Sequence, residues 1–243
     1  MKESPYSEPN RLVDSPTLLL FDVDGTLVRT EGPSRHSRAF REAFREVYGV
    51  ECRFTAGMHG MTDLQIYMEL ARGLAPVDGR GRELALRACR RMVEIYLNPA
   101  DTDGQYVALP GARAALELLA GRGTVLGLLT GNAPEIARHK LGSVGLAEFF
   151  AFGAFGTEAE NRSGLPPIAI GRAEAATGRR FETSRVFIVG DTPRDVACAL
   201  DNGCRAVGVP TGSFTAEELV AAGAEVVLPS LEETGQLMQI LGL

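Results

Sequence analysis

The 243-residue chain lacks several features that would place it in whole classes of protein. No apolar run approaches the roughly 20 residues that a membrane-spanning helix needs. Residues 1–16 are polar, contain several prolines and hold no secretory hydrophobic segment, so we expect them to form a loose tail. The formal net charge of −6 argues against a nucleic-acid partner, because such partners favour a basic face. These absences predict a cytoplasmic protein, with no membrane or nucleic acid involved.

Cysteine and lysine are also scarce. The four cysteines form no Cys-x-x-Cys pair, so free thiols are favoured over a zinc site or disulfides. Only two of the 25 basic residues are lysines, Lys2 and Lys140, and the rest are arginines. A buried cation in this protein is therefore expected to be an arginine unless it is Lys140.

The apolar residues that are present alternate between strand-like and helix-like patterns. Hydrophobic residues make up 45% of the chain, which is typical of a folded protein. Alternating strands and helices predict an α/β fold built on a doubly wound parallel sheet. The predicted strands are residues 17–23, 125–130, 149–155, 186–189, 205–209 and 225–228, and residues 25–33 are predicted to form a loop.

Residues 34–98 carry three helical patterns with no strand between them. Phe40 and Phe44 mark the first helix, which Gly49 is placed to end. Thr62 and Gln65 have the spacing of a capping box at the start of the second helix. We therefore expect residues 17–33 and 99–243 to form the α/β core and residues 34–98 to form an inserted helical domain.

Two aspartates follow the first strand directly. Asp22 and Asp24 come immediately after the apolar residues 18–21, and Gly25 and Thr26 come next. Buried charges are costly unless something compensates them, and a divalent cation would do so. Ligand sites of open α/β sheets lie at the carboxyl ends of strands, where this pair is expected. A calcium-type loop or a simple acidic turn is the alternative explanation of the same residues.

Together with two later segments, this stretch resembles the motifs of the haloacid dehalogenase-like (HAD) hydrolases. Residues 22–28 resemble the first motif. The resemblance implies that Asp22 attacks phosphorus to form an aspartyl phosphate. Asp24 would protonate the leaving group and then accept a proton from the hydrolytic water. The family's dehalogenases lack the second aspartate, so Asp24 favours phosphate chemistry.

Thr130-Gly131-Asn132, at the end of the second strand, resembles motif II. The resemblance implies that these residues bind substrate, with the Thr130 hydroxyl and the Gly131 N–H on a phosphoryl oxygen. The alternative is that Asn132 serves only as the N-cap of the helix that Pro134 opens.

Gly190-Asp191 and Asp195 resemble motif IV. The resemblance implies a Mg²⁺ site formed by Asp22, Asp191 and the Asp24 carbonyl, with Asp195 binding or orienting the metal's shell. Capping of the helix that begins after Thr192 is the alternative role for Asp195.

Motif III is where the chain departs from the family pattern. The family usually has a lysine before the helix that precedes the fourth strand, often with a proline two residues later. Aligning Pro166 puts Ser163 at the lysine position, so Arg162 is the candidate for the cation that neutralises the nucleophile and the phosphoryl group. A surface arginine is the alternative. Lys140 lies in the helix after motif II, which is the wrong place for this role.

The helical insert resembles the C1-type cap of the phosphoglycolate phosphatase and β-phosphoglucomutase branch. Residues 57–63 resemble the cap segment that reaches substrate, so His59, Thr62 and Arg41 are candidates for reading the leaving group, against the alternative of cap-surface residues. A cap of this kind closes over the site and excludes bulk water.

The resemblance therefore predicts a Mg²⁺-dependent hydrolase of small phosphomonoesters, similar to phosphoglycolate phosphatases. A phosphomutase is the nearest alternative. A phosphonate hydrolase is weaker, since that branch uses a cap lysine and residues 34–98 contain none. A non-catalytic phospholigand-binding protein of the same fold is the alternative from another class.

Overall fold

The computed structural model describes residues 16–74, 80–98 and 105–243. The predicted tail, apart from its last residue, and the helix-breaking Pro76, Gly79 and Pro99 lie outside these residues. The strands are β1 (Leu18–Phe21), β2 (Val28–Glu31), β3 (Gln105–Ala108), β4 (Val125–Leu129), β5 (Gly153–Ala154), β6 (Val186–Gly190), β7 (Arg205–Gly208) and β8 (Val226–Val227). The helices are α1 (Arg35–Tyr48), α2 (Asp63–Leu70), α3 (Gly81–Tyr96), α4 (Ala112–Gly121), α5 (Pro134–Ser143), α6 (Leu165–Thr177), α7 (Pro193–Asp201), α8 (Ala216–Ala221) and α9 (Thr234–Leu241).

Six parallel strands form the main sheet in the order β5-β4-β1-β6-β7-β8. All four side chains of β1 are fully buried, because helices cover both faces of the sheet. Leu19 and Phe21 join the hydrophobic cluster on one face, with α4, α5 and α9. Leu18 and Leu20 join the cluster on the other face, with α6 and α7. The doubly wound parallel sheet is therefore confirmed.

Helices α1, α2 and α3 pack on one another around a third hydrophobic cluster. Its centre is an aromatic stack in which the rings of Phe40 and Tyr67 lie 3.8 Å apart. Gly49 ends α1 with a positive φ of 75°, as predicted, and Thr62 caps α2 by accepting from the Gln65 N–H at 3.1 Å. The assignment of residues 34–98 to a separate domain remains a prediction.

An antiparallel ribbon of β2 and β3 flanks this helical insert. The prediction of a loop over residues 25–33 was therefore wrong for β2. Val28 is the only apolar residue of β2, and Arg29 and Glu31 are exposed, so the strand carries no apolar alternation. Their pairing depends on β3, more than 70 residues later in the chain, which no local pattern reports.

Other differences concern the ends of elements. The strand predicted over residues 149–155 is only the two-residue β5, and Ala147–Phe149 forms a 3₁₀ turn. Helix α2 ends at Leu70, so Leu74 is not part of it and is half exposed. Helices α8 and α9 were not predicted. No helix among the described residues combines the length and the apolar character needed to cross a membrane.

Candidate active site

The first two aspartates sit on a tight turn at the carboxyl end of β1. The N–H of Asp22 still donates to Val189 of β6, at 2.9 Å, and the chain then turns back so that Val28 N–H donates to Val23. Gly25 has a φ of +83°, and a Cβ there would lie 2.4 Å from Asp191 Oδ2. Only glycine allows this turn to bring the loop so close to the Asp191 carboxylate.

Three carboxylates meet at the carboxyl ends of β1 and β6. Oxygen atoms of Asp22, Asp191 and Asp195 all lie within 4.8 Å of one another, and all three side chains are buried. Burial, together with the charges of Asp22 and Asp195, raises the pKa of Asp191 to about 8. Burial also raises the pKa of Asp22, to about 6, although Arg162 opposes this. A buried cluster of carboxylates that resists ionisation fits a divalent cation with oxygen ligands.

Arg162 is the cation of this cluster. It lies in the 3₁₀ turn Arg162–Gly164 before α6, and its guanidinium is buried with Nη2 2.8 Å from Asp22 Oδ1 and 2.5 Å from Asp195 Oδ1. Burial opposes its charge, but Asp195 and Asp22 outweigh burial and raise the pKa of Arg162. The alternative of a surface arginine is therefore wrong. The position one residue before the family's lysine still brings a fixed positive charge to Asp22.

Asp195 caps a helix and also belongs to the acidic cluster. Its Oδ2 accepts from the Thr192 N–H at 3.0 Å and closes a capping box at the start of α7. Its Oδ1 is the oxygen that faces Arg162. Helix capping therefore fixes the carboxylate in the position that completes the acidic cluster.

Lys140 forms a second ion pair, which we did not predict. Its Nζ lies 2.6 and 2.8 Å from the two carboxylate oxygens of Asp24 and donates to Asn132 Oδ1 at 2.7 Å. Lys140 is 2% exposed. Helical side chains lean toward the N-terminus of their helix, so a lysine in the second turn of α5 can reach the strand end before it. The direction of helical side chains is therefore the signal from which the contact between Lys140 and Asp24 could have been predicted.

The ion pair sets the protonation of Asp24. Burial favours the neutral acid, but the Lys140 ammonium outweighs it and lowers the pKa of Asp24. Asn132 Nδ2 adds a hydrogen bond to Asp24 Oδ2 at 2.8 Å. Asp24 is therefore ionised at neutral pH, whereas burial favours the neutral forms of Asp22 and Asp191.

Two of the three motif II residues line the cavity, and the third supports one of them from behind. Gly131 and Asn132 line the cavity above Asp22. Thr130 is fully buried, and its Oγ1 accepts from Asn132 Nδ2 at 2.7 Å rather than facing the cavity. The N-cap of α5 is Ala133, so the alternative that Asn132 serves only as an N-cap was wrong.

The cavity over the carboxylates has a volume of about 190 Å³. The helical insert supplies one wall, which includes His59, and the sheet supplies the other. Thr62 is fully buried as the cap of α2 and does not line the cavity. Arg41 does not line it either, and its guanidinium lies 5.9 Å from the centre of the Phe54 ring. The lining residues are Asp22, Asp24, His36, Met58, His59, Gly60, Met61, Asp63, Ile66, Gly131, Asn132, Arg162, Asp191 and Thr192.

Two residues of the insert that we did not predict join it to the site. Asp63 Oδ2 accepts from the Ala133 N–H at 2.9 Å, and Asp63 Oδ1 lies 3.2 Å from His36 Nε2. His36 Nδ1 in turn lies 3.3 Å from Lys140 Nζ. Contacts of this kind between the insert and the sheet close the cavity on one side.

The family model for haloacid dehalogenase-like hydrolases matches residues 16–203. The chain belongs to this family. The predicted family and the predicted enzyme class, a hydrolase, are therefore confirmed.

Individual relatives agree with the family. A Dickeya dadantii (strain 3937) protein named "Probable phosphatase IndB" is 28% identical over 222 residues, which is 89% of this chain and 90% of that protein. The phosphoglycolate phosphatase of Escherichia coli (strain K12) is 24% identical over 70% of this chain and 66% of its own length. The match with a "putative beta-phosphoglucomutase" structure from Thermotoga maritima has a TM-score of 0.57 at 21% identity, covering 93% of this chain and 99% of that one. The likeness to the Thermotoga maritima structure shows that the two chains share a fold.

Proposed function

We propose that this HAD hydrolase releases phosphate from a small phosphomonoester, in a Mg²⁺-dependent reaction that passes through an aspartyl phosphate on Asp22. The observation that carries the proposal is the placement of the Asp22 carboxylate. It lies at a strand end, on the wall of a cavity, with Arg162 at 2.8 Å and two further carboxylates beside it. Phosphoryl transfer depends mainly on positioning and on charge stabilisation, which this arrangement supplies.

In the first step an Asp22 oxygen forms a bond to phosphorus while the bond from phosphorus to the alcohol oxygen breaks. Asp24, which is ionised in the free protein, takes the proton of the monoanionic phosphate ester on binding and gives it to the departing alcohol. In the second step water attacks the phosphorus, one proton of the water goes to Asp24, and the Asp22–phosphorus bond breaks. Asp24 returns this proton to the phosphate, which leaves as the monoanion, and both aspartates are again ionised. Arg162 holds the nucleophile and offsets the phosphoryl charge throughout.

The residues present fit a magnesium ion. Asp22, Asp191 and Asp195 supply three buried carboxylates, and burial raises the pKa of Asp191 to about 8, so a cation would relieve an unfavourable charge cluster. The Asp24 carbonyl is the fourth expected ligand. When bound, Mg²⁺ neutralises charge on the transferring phosphoryl group.

The roles of the other site residues follow from this proposal. Gly131, Asn132 and His59 would contact substrate, because they line the cavity. Residues 34–98 would act as the C1-type cap. The phosphoglycolate phosphatase of E. coli is a relative that supports a small phosphorylated metabolite as substrate. A cytoplasmic location stays a prediction of the sequence.

The test is phosphate release by the Asp22→Asn variant. The substitution keeps the shape of the side chain but removes the nucleophile, so kcat should fall by about 10⁴-fold or more. Phosphate release is measured with a panel of phosphomonoesters, with and without Mg²⁺. Glu117→Gln, on the exposed face of α4, makes the same carboxylate-to-amide change away from the site and should keep full activity. Equal Mg²⁺-dependent activity in both variants would refute the proposal.

The alternatives are separated by product and turnover. A phosphomutase would return the phosphoryl group to a sugar, so incubation with a hexose 1-phosphate would give the 6-phosphate rather than free phosphate. A non-catalytic binding protein would release no phosphate from any member of the panel.

A further inference from the structure

A second cavity lies inside the helical insert, beside the site. It has a volume of about 260 Å³ and is called the cap cavity below. It opens to solvent past exposed residues that include Phe54, which is 37% exposed. Its lining residues are His36, Ser37, Phe40, Phe54, Thr55, Met58, His59, Asp63 and Ile66.

The cap cavity adjoins the cavity over Asp22. Five residues line both, so they form a shared wall between the phosphoryl site and the cap cavity: His36, Met58, His59, Asp63 and Ile66. A phosphomonoester whose phosphorus faces Asp22 must direct its alcohol part away from the sheet. The cap cavity is the space next to the phosphoryl site that can receive this part.

The walls of the cap cavity are mainly apolar and partly aromatic. The Phe54 ring is tilted by 60° against Phe40, with their centres 5.0 Å apart. Phe40 is held from behind by its stack on Tyr67. Met58 and Ile66 add apolar surface between the two cavities. Tilted aromatic pairs of this kind favour a further ring at their edge or face.

Two polar side chains of the shared wall, Asp63 and His36, are already engaged. Asp63 binds the Ala133 N–H and His36, and His36 also contacts Lys140. No lysine or arginine lies among the described lining residues of the cap cavity. A second anionic group on the substrate, such as a carboxylate, would meet the Asp63 carboxylate there with no lysine or arginine to pair with. Burying that second charge would cost free energy that no permanent positive charge of the lining offsets.

Resting on the proposed function, we infer that the preferred substrate is a phosphomonoester whose alcohol part carries an uncharged, apolar ring. The phosphate lies over Asp22, and the ring lies between Phe54, Phe40 and Ile66. A cavity of about 150 Å³ is enough to bind benzene in another protein, so the cap cavity accommodates one ring with room for a linker. A two-carbon acid phosphate would leave this space unfilled.

The experiment compares three alkyl phosphates. Ethyl phosphate and 2-phenylethyl phosphate have leaving alcohols of similar acidity, so their difference reports recognition of the ring. We expect kcat/KM for 2-phenylethyl phosphate to exceed that for ethyl phosphate by about tenfold or more, from burial of the ring. We expect 2-phosphoglycolate to react no faster than ethyl phosphate.

Phe54→Ala tests whether the ring of the substrate binds in the cap cavity. Phe54 is partly exposed, so its truncation should be tolerated by the fold, and the ratio of the two kcat/KM values should fall by about threefold or more. Leu97→Ala removes a similar apolar side chain that is 43% exposed at the end of α3, away from the cap cavity, and should leave the ratio unchanged. If the ratio of the two kcat/KM values is unchanged in Phe54→Ala, the ring does not bind in the cap cavity.

A binding measurement separates this inference from the proposed function. The dissociation constants of 3-phenylpropylphosphonate and propylphosphonate are measured by calorimetry with Mg²⁺, since neither is hydrolysed. Tighter binding of the ring compound supports the inference even if no phosphate is released from any ester, a result that would refute the proposed hydrolysis. Equal affinities, or equal kcat/KM values in an active enzyme, would overturn the ring preference and leave phosphatase activity standing.

Discussion

At the scale of single residues, the site separates two aspartates that are only two positions apart. Asp22 faces Arg162 and two carboxylates, and burial raises its pKa to about 6. Asp24 faces the Lys140 ammonium, which lowers its pKa. Different protonation equilibria for neighbouring carboxylates are the usual basis for assigning them different roles. The proposed nucleophile and the proposed acid–base residue are thus distinguished by their partners rather than by their sequence positions.

Replacing Lys140 by methionine tests this separation. Without the ammonium, the pKa of Asp24 rises, so the pH range in which Asp24 is ionised begins at a higher pH. We expect the acidic limb of the pH–rate profile to move to higher pH, and kcat to fall by about 10²-fold because Asp24 loses its positioning partner. Lys140→Arg keeps the positive charge, so its acidic limb should lie closer to that of the parent enzyme and its kcat should fall less. A pH profile identical to that of the parent enzyme would exclude the role.

Asp191 gives a second prediction, which concerns the metal. Its pKa is raised from 3.8 to about 8, so the metal-free folded protein holds this proton more tightly than the unfolded chain does. The resulting stability is full below pH 3.8 and is lost as the pH rises toward 8. Mg²⁺ must displace the proton, so added Mg²⁺ should raise the Tm more at pH 8 than at pH 6.

The measurement is thermal unfolding at the two pH values, with Mg²⁺ or with NaCl at equal ionic strength. Asp191→Asn should lose the Mg²⁺-dependent increase in Tm, and Glu117→Gln should keep it. An increase in Tm that is the same at both pH values would contradict the predicted proton displacement.

At the scale of elements, the parallel strands that position the site could be predicted from sequence, and much of what joins the insert to them could not. The residues of β1, β4 and β6 are apolar runs that end in motif residues, so local pattern and site agree. Strands β2 and β3 have only four residues each, and they pair across more than 70 positions of the chain. Lys140 was assigned to the correct helix, but its contact with Asp24 spans 116 positions. Arg162 was found because it lies next to a known motif position.

The N-terminus of α2 docks on the loop after β4 through Gly131. Asp63 N–H donates to the Gly131 carbonyl at 2.8 Å, and a Cβ on Gly131 would lie 2.3 Å from the Met61 carbonyl oxygen. The two backbones are therefore packed as closely as a glycine allows. This close contact sets the distance between the insert and the motif II residues.

Gly131→Ala should push these backbones apart. Because the added methyl meets backbone rather than a flexible side chain, we expect kcat/KM to fall by about 10- to 100-fold, as misplacement by about 1 Å commonly does. Gly142→Ala is the matched control in α5, where a Cβ meets nothing within 4 Å. It should keep activity and gain about 0.5 kcal/mol of stability. Steady-state kinetics and urea unfolding measure both effects, and parent-like kinetics in Gly131→Ala would show that the contact is not required.

At the scale of the whole molecule, the proposed mechanism requires the insert to stay closed over the sheet. Residues 58–61 line the cavity, and Arg162 Nη1 donates to the Gly60 carbonyl at 3.1 Å. The cation paired with Asp22 therefore also contacts the insert. Under the proposed function, this one structural state would complete the charge arrangement at Asp22 and keep water from the site.

Arg194 on α7 holds residues 57–61 from the side of the sheet. Its Nε donates to the His59 carbonyl at 3.1 Å and its Nη2 to the Gly57 carbonyl at 3.0 Å. Two exposed hydrogen bonds contribute about 1–2 kcal/mol together, so Arg194→Ala should shift the insert toward opening. We expect kcat/KM to fall by about three- to tenfold and the amides of residues 57–61 to exchange faster with deuterium.

Arg180→Ala is the control for this change. Arg180 also donates through its guanidinium, to Glu174 at 2.9 Å, but it lies on the exposed surface beyond α6. Its loss should change neither the kinetics nor the exchange of residues 57–61. If Arg194→Ala exchanges and reacts like the parent enzyme, closure is held by the Gly131 and Arg162 contacts alone. If instead exchange accelerates while kcat/KM stays constant, opening of the insert does not limit turnover.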